Sequence, residues 1–233
     1  MAVRVALIDL DGTLVDSAPE LAQAVDRMLE GGELARAGLE NVRGWIGEGI
    51  DQLVTQALTE MMGREPSEAE YKDARTRFDT AYAEAIGTMS APYPGVPEGL
   101  DRLRAAGIGT ACVTNKARMF SVSLLGALDL FGRFDVLVAG DSGLPKKPDA
   151  APLQRAAERL GADLGECVMI GDSGIDVASA RTAGCPAWCV RTGYSRGQTP
   201  EEAGADAVFE RFDALVEALL GEGVVGSSGS ART

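Results

Sequence analysis

Short apolar runs alternate with longer amphipathic stretches along most of this chain, and the alternation predicts a fold. Aliphatic and β-branched residues run together at 3–10, 109–114, 136–139, 167–170, 187–190 and 207–209. Apolar residues at consecutive positions over such lengths suit strands buried on both faces. Between these runs, helical spacing marks 97–106, 117–128, 150–160, 175–183 and 212–220. Strand alternating with helix implies right-handed crossovers and a parallel sheet covered on both faces, an α/β, doubly wound, Rossmann-like core. Ligands of such sheets bind beyond the carboxyl ends of the strands.

Residues 17–91 break the alternation. They carry helical patterns only, at 19–29, 50–62 and 67–86, and read as a helical cap inserted after the first strand. Ser17-Ala18-Pro19-Glu20 and Ser67-Glu68-Ala69-Glu70 both have capping-box spacing, so each predicts a helix start. Pro92-Tyr93-Pro94-Gly95 marks the return to the core. The expected organisation is a core of 1–16 and 92–220, a cap of 17–91, and a flexible Gly- and Ser-rich tail at 221–233.

Composition narrows the chemistry. The 233 residues include 22 Lys plus Arg against 35 Asp plus Glu, a formal charge of −13. That balance argues against a nucleic-acid partner, because phosphate backbones attract clustered cations. More than half of the excess falls within 17–91, where it reads as a solvated helix surface. The chain has no histidine, which excludes Ser-His and Cys-His nucleophiles, HExxH zinc sites and imidazole proton shuttles. Acid–base work falls to carboxylates, Lys, Tyr or Cys. Cys112, Cys167, Cys185 and Cys189 form no CxxC pair and read as reduced thiols. No stretch approaches the roughly 18 apolar residues of a membrane span, and the N-terminal run is short for a leader. The expectation is a cytoplasmic protein with no membrane partner.

Acidic residues cluster at two strand exits. Asp9-Leu10-Asp11-Gly12-Thr13 ends the first strand, with Asp9 and Asp11 pointing the same way by strand alternation. Two such carboxylates about 4 Å apart repel by roughly 4 kcal/mol at an effective dielectric near 20. Gly171-Asp172-Ser173-Gly174-Ile175-Asp176 repeats the arrangement at another strand exit. Taken alone, the first is an ordinary Asp-Gly turn and Asp172 an ordinary helix cap. Together, three or four converging carboxylates favour a hard, oxygen-loving cation such as Mg²⁺. Thr114-Asn115 closes a third strand and opens a helix, so its hydroxyl and backbone N–H groups suit an anion, or a plain cap. In Pro145-Lys146-Lys147-Pro148, the residue before proline is held extended. Lys147 is thereby aimed, and only one of the two lysines is expected to reach a site.

In order and spacing, DxDGT at Asp9–Thr13, Thr114, Lys147 and GDSxxD at Gly171–Asp176 resemble the motifs of the haloacid dehalogenase superfamily of phosphotransferases. Asp9-Leu10-Asp11-Gly12-Thr13-Leu14-Val15-Asp16-Ser17, Tyr93-Pro94-Gly95-Val96, Val113-Thr114-Asn115-Lys116, Lys146-Lys147-Pro148-Asp149, Gly193-Tyr194 and Trp45-Ile46-Gly47-Glu48-Gly49 are similar to its phosphoglycolate phosphatases. The resemblance implies a Mg²⁺-dependent hydrolase of a small phosphorylated metabolite. Asp9 is then the nucleophile, and Asp11 the acid and base. The cation is held by the Asp9 side chain, the Asp11 backbone carbonyl and Asp172, with Asp176 behind them. Thr114, the Asn115 N–H and Lys147 bind the phosphoryl group. Specificity falls to the cap, where Gly47 and Gly49 line the substrate and Arg43 meets a substrate carboxylate. A β-phosphoglucomutase-like mutase keeps the same aspartates, other small-molecule phosphatases and a pyrophosphatase share the site, and a non-enzymatic binding module is the remaining alternative.

Overall fold

The computed structural model describes residues 3–194 and 197–221; of the tail expected at 221–233, all but Gly221 lies outside them. Six parallel strands form the main sheet: β1 (Val5–Ile8), β4 (Gly109–Val113), β5 (Val136–Val138), β6 (Cys167–Gly171), β7 (Ala187–Val190) and β8 (Ala207–Phe209). Their order, β5-β4-β1-β6-β7-β8, sets β1 at the centre between β4 and β6. The alternation along β1 explains the two layers. Ala6 and Ile8 face one core with α5 (Val96–Ala105), α6 (Arg118–Ala127) and α10 (Phe212–Leu220), through Leu100, Leu124 and Phe212. Val5 and Leu7 face the other, with Leu153 of α7 (Ala151–Arg159) and Val177 of α8 (Gly174–Ala183). Side chains at consecutive positions are buried on opposite faces, the reason for an uninterrupted apolar run.

The insertion is helical as expected: α1 (Ala18–Glu30), α2 (Leu39–Arg43), α3 (Ile50–Met62) and α4 (Glu68–Ala85). It has its own core, built around Val25, Met28, Val54, Phe78 and Tyr82, which reaches the rest of the molecule through Phe120 and Tyr194. Three features escaped the periodicity because they are too short to show one. Helix α2 has five residues. Another is the antiparallel pair of β2 (Val15–Asp16) and β3 (Ala91–Pro92), which ties the two ends of the insertion together. Helix α9 (Pro200–Ala203) is a third short element.

One of the two capping boxes forms. The Ser67 hydroxyl accepts from the Glu70 N–H at 3.3 Å, and the Glu70 carboxylate accepts from the Ser67 N–H at 2.8 Å. Ser17 also precedes a helix, but its backbone is already helical (φ −99°, ψ −3°) and its side chain caps nothing. Tyr194 substitutes: its phenol oxygen accepts the Ser17 and Ala18 N–H groups at 2.8 and 2.9 Å and donates to Asp16 at 2.7 Å. Glu20 turns to the end of the insertion and accepts from the Met89 and Ser90 N–H groups. The local signal located the helix start, and a tertiary partner took over its satisfaction.

Candidate active site

Three neighbouring strands deliver the motifs to one place. Ile8 pairs with Cys112 on one side and Ile170 on the other. Asp9, Thr114 and Asp172, distant in sequence, therefore leave the sheet beside one another. The Asp9 N–H stays anchored to the Ile170 carbonyl at 2.9 Å, and Thr114 N–H to Val138 at 3.0 Å.

Carboxylate oxygens of Asp9, Asp172 and Asp176 lie within 4.8 Å of one another. Asp172 accepts from the Thr13 hydroxyl at 2.7 Å and the Tyr194 N–H at 2.9 Å. A Cβ on Gly193 would sit 2.0 Å from the Asp172 carboxylate, so only glycine lets the backbone pass this close. Asp176 accepts from the Ser173 hydroxyl at 2.7 Å and, more weakly, from the Asp172 and Ser173 N–H groups. The Lys147 ammonium joins two of the three, 2.8 Å from Asp9 and 2.7 Å from Asp176. Lys146, one residue earlier, points away to Asp51 on α3 at 3.5 Å. The geometry thus separates the two lysines, and only Lys147 reaches the acids.

Burial drives the electrostatics of this group. It pushes the Asp9 carboxyl up to about 7, against the opposing pull of Lys147 and with a further push from Asp176. Asp172 is raised well above the ordinary carboxylate range by burial and then by the Asp176 and Asp9 charges. Burial alone would lower the Lys147 ammonium, but Asp176 and Asp9 together hold it above its usual value. One lysine does not balance three carboxylates. An all-oxygen donor set of this kind fits a hard divalent cation.

A stability consequence follows. Between the unfolded carboxylate value near 3.9 and about 7 in the fold, folded Asp9 holds a proton that the unfolded chain has lost. Cation-free protein should therefore lose stability as pH rises across that window. A divalent cation removes the penalty, so it should raise Tm more at pH 8 than at pH 5. At about 100 times its Kd the gain is roughly 2.7 kcal/mol, or about 5–10 °C for a chain of this size. Calorimetry with EDTA or MgCl₂ at both pH values checks this; equal shifts would contradict it.

Asp11 takes a partner of its own. Its carboxylate is not in the three-acid group but pairs with Lys116, at 2.9 and 3.1 Å, and accepts from the Ser17 hydroxyl at 2.5 Å. It still lines the same cleft as Asp9, and the chain turns just beyond it at Gly12, φ +89°. Asn115 also does more than its backbone suggested. Its amide donates to the carbonyls of Gly47 and Lys147 and accepts from the Lys147 N–H, each at 2.9 Å. It joins the lysine loop to the insertion.

A cleft of about 420 Å³, measured out to its mouth, lies between insertion and sheet. Asp9, Asp11, Thr114, Asn115 and Lys116 form its floor; Leu21, Ile46, Ile50 and Leu53, with Gly47 and Gly49, form its roof. Gly49 has φ +93°, and a Cβ there would lie 3.0 Å from the Asn115 carbonyl. Glycine is thus required both by the turn and by the approach to the floor. Arg43 is not brought here. It lines a separate depression with Tyr93 and Tyr194, its guanidinium 3.7 Å from Asp16. Arg43 ends α2, and its nearest acids are Asp16 of β2 and Glu40 of its own helix, both at 3.7 Å. Lys116, Ser17, Thr13 and Tyr194 were not singled out from the sequence. Only their membership in the VTNK, Asp9–Ser17 and Gly-Tyr stretches, and for Ser17 a capping box, marked them, because a contact across 105 residues, as between Lys116 and Asp11, has no local signature.

Comparison with known proteins agrees with this geometry. Residues 3–184 match the model of the haloacid dehalogenase-like hydrolases. The phosphoglycolate phosphatase of Thiobacillus denitrificans is 40% identical over 222 residues, covering 94% of this chain and 96% of that one. The plasmid-borne phosphoglycolate phosphatase of Cupriavidus necator is 43% identical over 209 residues, 90% of each chain. A crystal structure of a predicted phosphoglycolate phosphatase from Haemophilus somnus superposes with a TM-score of 0.89 at 30% identity, over 93% of this chain and 97% of the other. The chain belongs to the haloacid dehalogenase-like hydrolase family.

Proposed function

We propose that this hydrolase is a Mg²⁺-dependent phosphatase that cleaves a small phosphate monoester through an aspartyl-phosphate on Asp9, with 2-phosphoglycolate as its substrate. The observation that carries the reading is the division of labour at one strand end. Asp9 faces Lys147 and two further carboxylates, while Asp11 is held apart at the cleft by Lys116 and Ser17. The names of the relatives support the choice of substrate.

Lys147 fixes one carboxylate oxygen of Asp9; the other attacks phosphorus, and the bond to the ester oxygen breaks. Asp11 gives its proton to the departing alkoxide, which leaves as glycolate. It then takes a proton from the water that attacks the phosphoryl-aspartate. Cleavage of that phosphorus–oxygen bond returns Asp9 and releases inorganic phosphate. The Thr114 hydroxyl and the Asn115 N–H hold the phosphoryl oxygens, and Lys147 offsets their charge. Asp9, the Asp11 carbonyl and Asp172 would hold Mg²⁺, with Asp176 orienting the group; bound there, the ion supplies positive charge opposite the phosphoryl oxygens. Residues 17–91 act as a cap over a core of 1–16 and 92–220, and the close contact of Gly47 and Gly49 with the floor excludes water during turnover.

A sugar phosphomutase would need partners for several hydroxyls, whereas the roof offers Leu21, Ile46, Ile50 and Leu53. Among the described residues no helix is long and apolar enough to cross a membrane, and the acidic balance suits a cytoplasmic enzyme of small metabolites. Phosphate release should be measured in Mg²⁺ over small esters that include 2-phosphoglycolate, p-nitrophenyl phosphate and glucose 1-phosphate. Fastest release from 2-phosphoglycolate is expected. Conversion of glucose 1-phosphate to an isomer without net phosphate would overturn the reading.

A further inference from the structure

Lys116 is a buried cation that the three-acid group does not use. Its backbone is pinned where β4 gives way to α6: the N–H donates to the Thr114 hydroxyl at 3.1 Å, and the carbonyl accepts from Gly140 at 2.9 Å. The side chain is 3% exposed, and Lys116 lines the cleft beside Asp11. There the ammonium lies beside Asp11 and 5.0 Å from the centre of the Tyr82 ring on α4. Tyr82 in turn packs on Phe120 of α6 at 4.9 Å. An ammonium confined in this way has already lost most of its rotamer freedom, so an anion arriving there meets a preorganised donor.

The surroundings define the anion. Lys116 is the one cationic side chain that lines the cleft among the described residues, and the roof opposite is apolar. Lys147 binds two carboxylates, Asp9 and Asp176. Lys116 binds one, Asp11, and has donor capacity for another. If Asp11 exchanges a proton with the ester oxygen, that oxygen comes within hydrogen-bond distance of Asp11 and hence next to Lys116. A negative group on the adjacent carbon then falls on the ammonium. A longer or hydroxyl-rich leaving group would press polar atoms against Leu21, Ile46, Ile50 and Leu53.

We propose that Lys116 is the specificity-determining residue of the cleft, the cation that binds a carboxylate carried on the carbon next to the ester oxygen. The assignment rests on the phosphatase reading, with Asp11 facing the leaving oxygen. It moves to Lys116 the carboxylate contact that resemblance placed on Arg43, which lies outside the cleft.

The test compares 2-phosphoglycolate with 2-phosphoglycolamide, in which a neutral carboxamide replaces the carboxylate and the phosphate ester is unchanged. Wild-type protein should prefer the carboxylate by roughly 100-fold in kcat/KM, the size of a charge-assisted hydrogen bond in a desolvated cleft. In Lys116→Met the preference should fall to about 3-fold or less, and in Lys116→Arg, which keeps the charge, most of it should remain. Because the readout is a ratio, any loss common to both esters, from disturbed packing or a misplaced Asp11, cancels. A preference that survives in Lys116→Met overturns the proposal. So does its absence in wild type, a comparison that needs no folded variant. Failure of the wild type to release phosphate from either ester would instead bring down the phosphatase reading beneath it.

Discussion

Asp9→Asn is expected to abolish phosphate release, with kcat reduced by about 10⁴-fold or more, and to leave the fold standing. The amide nitrogen and carbonyl oxygen cannot form and return a phosphoryl ester as a carboxylate does, so the loss falls on the chemical step. The fold should survive because the substitution conserves shape at a position whose charge is costly. Burial holds the Asp9 carboxyl up to about 7, and without a cation its ionised form therefore opposes folding above that pH. An amide oxygen still accepts from Lys147. In EDTA at pH 8 the variant should melt at or above the wild-type temperature. Phosphate release paired with a thermal melt gives both halves, and turnover near wild type would sink the nucleophile assignment.

Lys147→Met should abolish turnover and also destabilise the cation-free protein. Lys147 lies between Asp9 and Asp176 at 2.8 and 2.7 Å, with its side chain 2% exposed. Removing one partner of a buried ion pair leaves uncompensated charge, at a cost of about 3–5 kcal/mol. For a chain of this size that is roughly 6–20 °C in Tm. Lys146→Met is the control: its ion pair with Asp51 is half exposed and 3.5 Å long, and such pairs contribute about 0–1 kcal/mol. It should change Tm by about 2 °C or less and turnover by a few-fold at most. Equal losses from the two substitutions would mean that the pre-proline geometry does not select between them.

The contrast between adjacent lysines shows what was legible in the chain. An X-Pro constraint acts on its own neighbour, so the aiming of Lys147 was readable locally. The consecutive apolar positions of β1 were equally readable, since both faces of a central parallel strand are buried. The Asp9, Asp172 and Asp176 group was foreshadowed by paired acids at two strand exits, and their convergence required only that those strands lie side by side. Asp9 and Asp11 do line one cleft, as alternation suggested, but that Asp11 takes Lys116 as its partner had no local signal. Ser17 kept the position of its helix start but lost its capping role to Tyr194, a residue 177 positions away.

By itself, then, the sequence determined the alternation of strands and helices, the helical insertion and the residue types that meet at the strand ends. Those depend on side-chain periodicity and backbone sterics, which act over a few residues. The tertiary structure alone decided which cation faces which acid: Lys147 to Asp9 and Asp176, Lys116 to Asp11, Arg43 to Asp16 outside the cleft. Such pairings depend on distance through space, because charge interaction in a desolvated site is strong at contact and is set by strand order and by where the insertion closes on the sheet. The acidity seen first as a net −13 accordingly divides into a solvated helical surface and a group of three carboxylates, Asp172 and Asp176 buried and Asp9 half-buried, whose balance needs more positive charge than the buried lysine between them supplies.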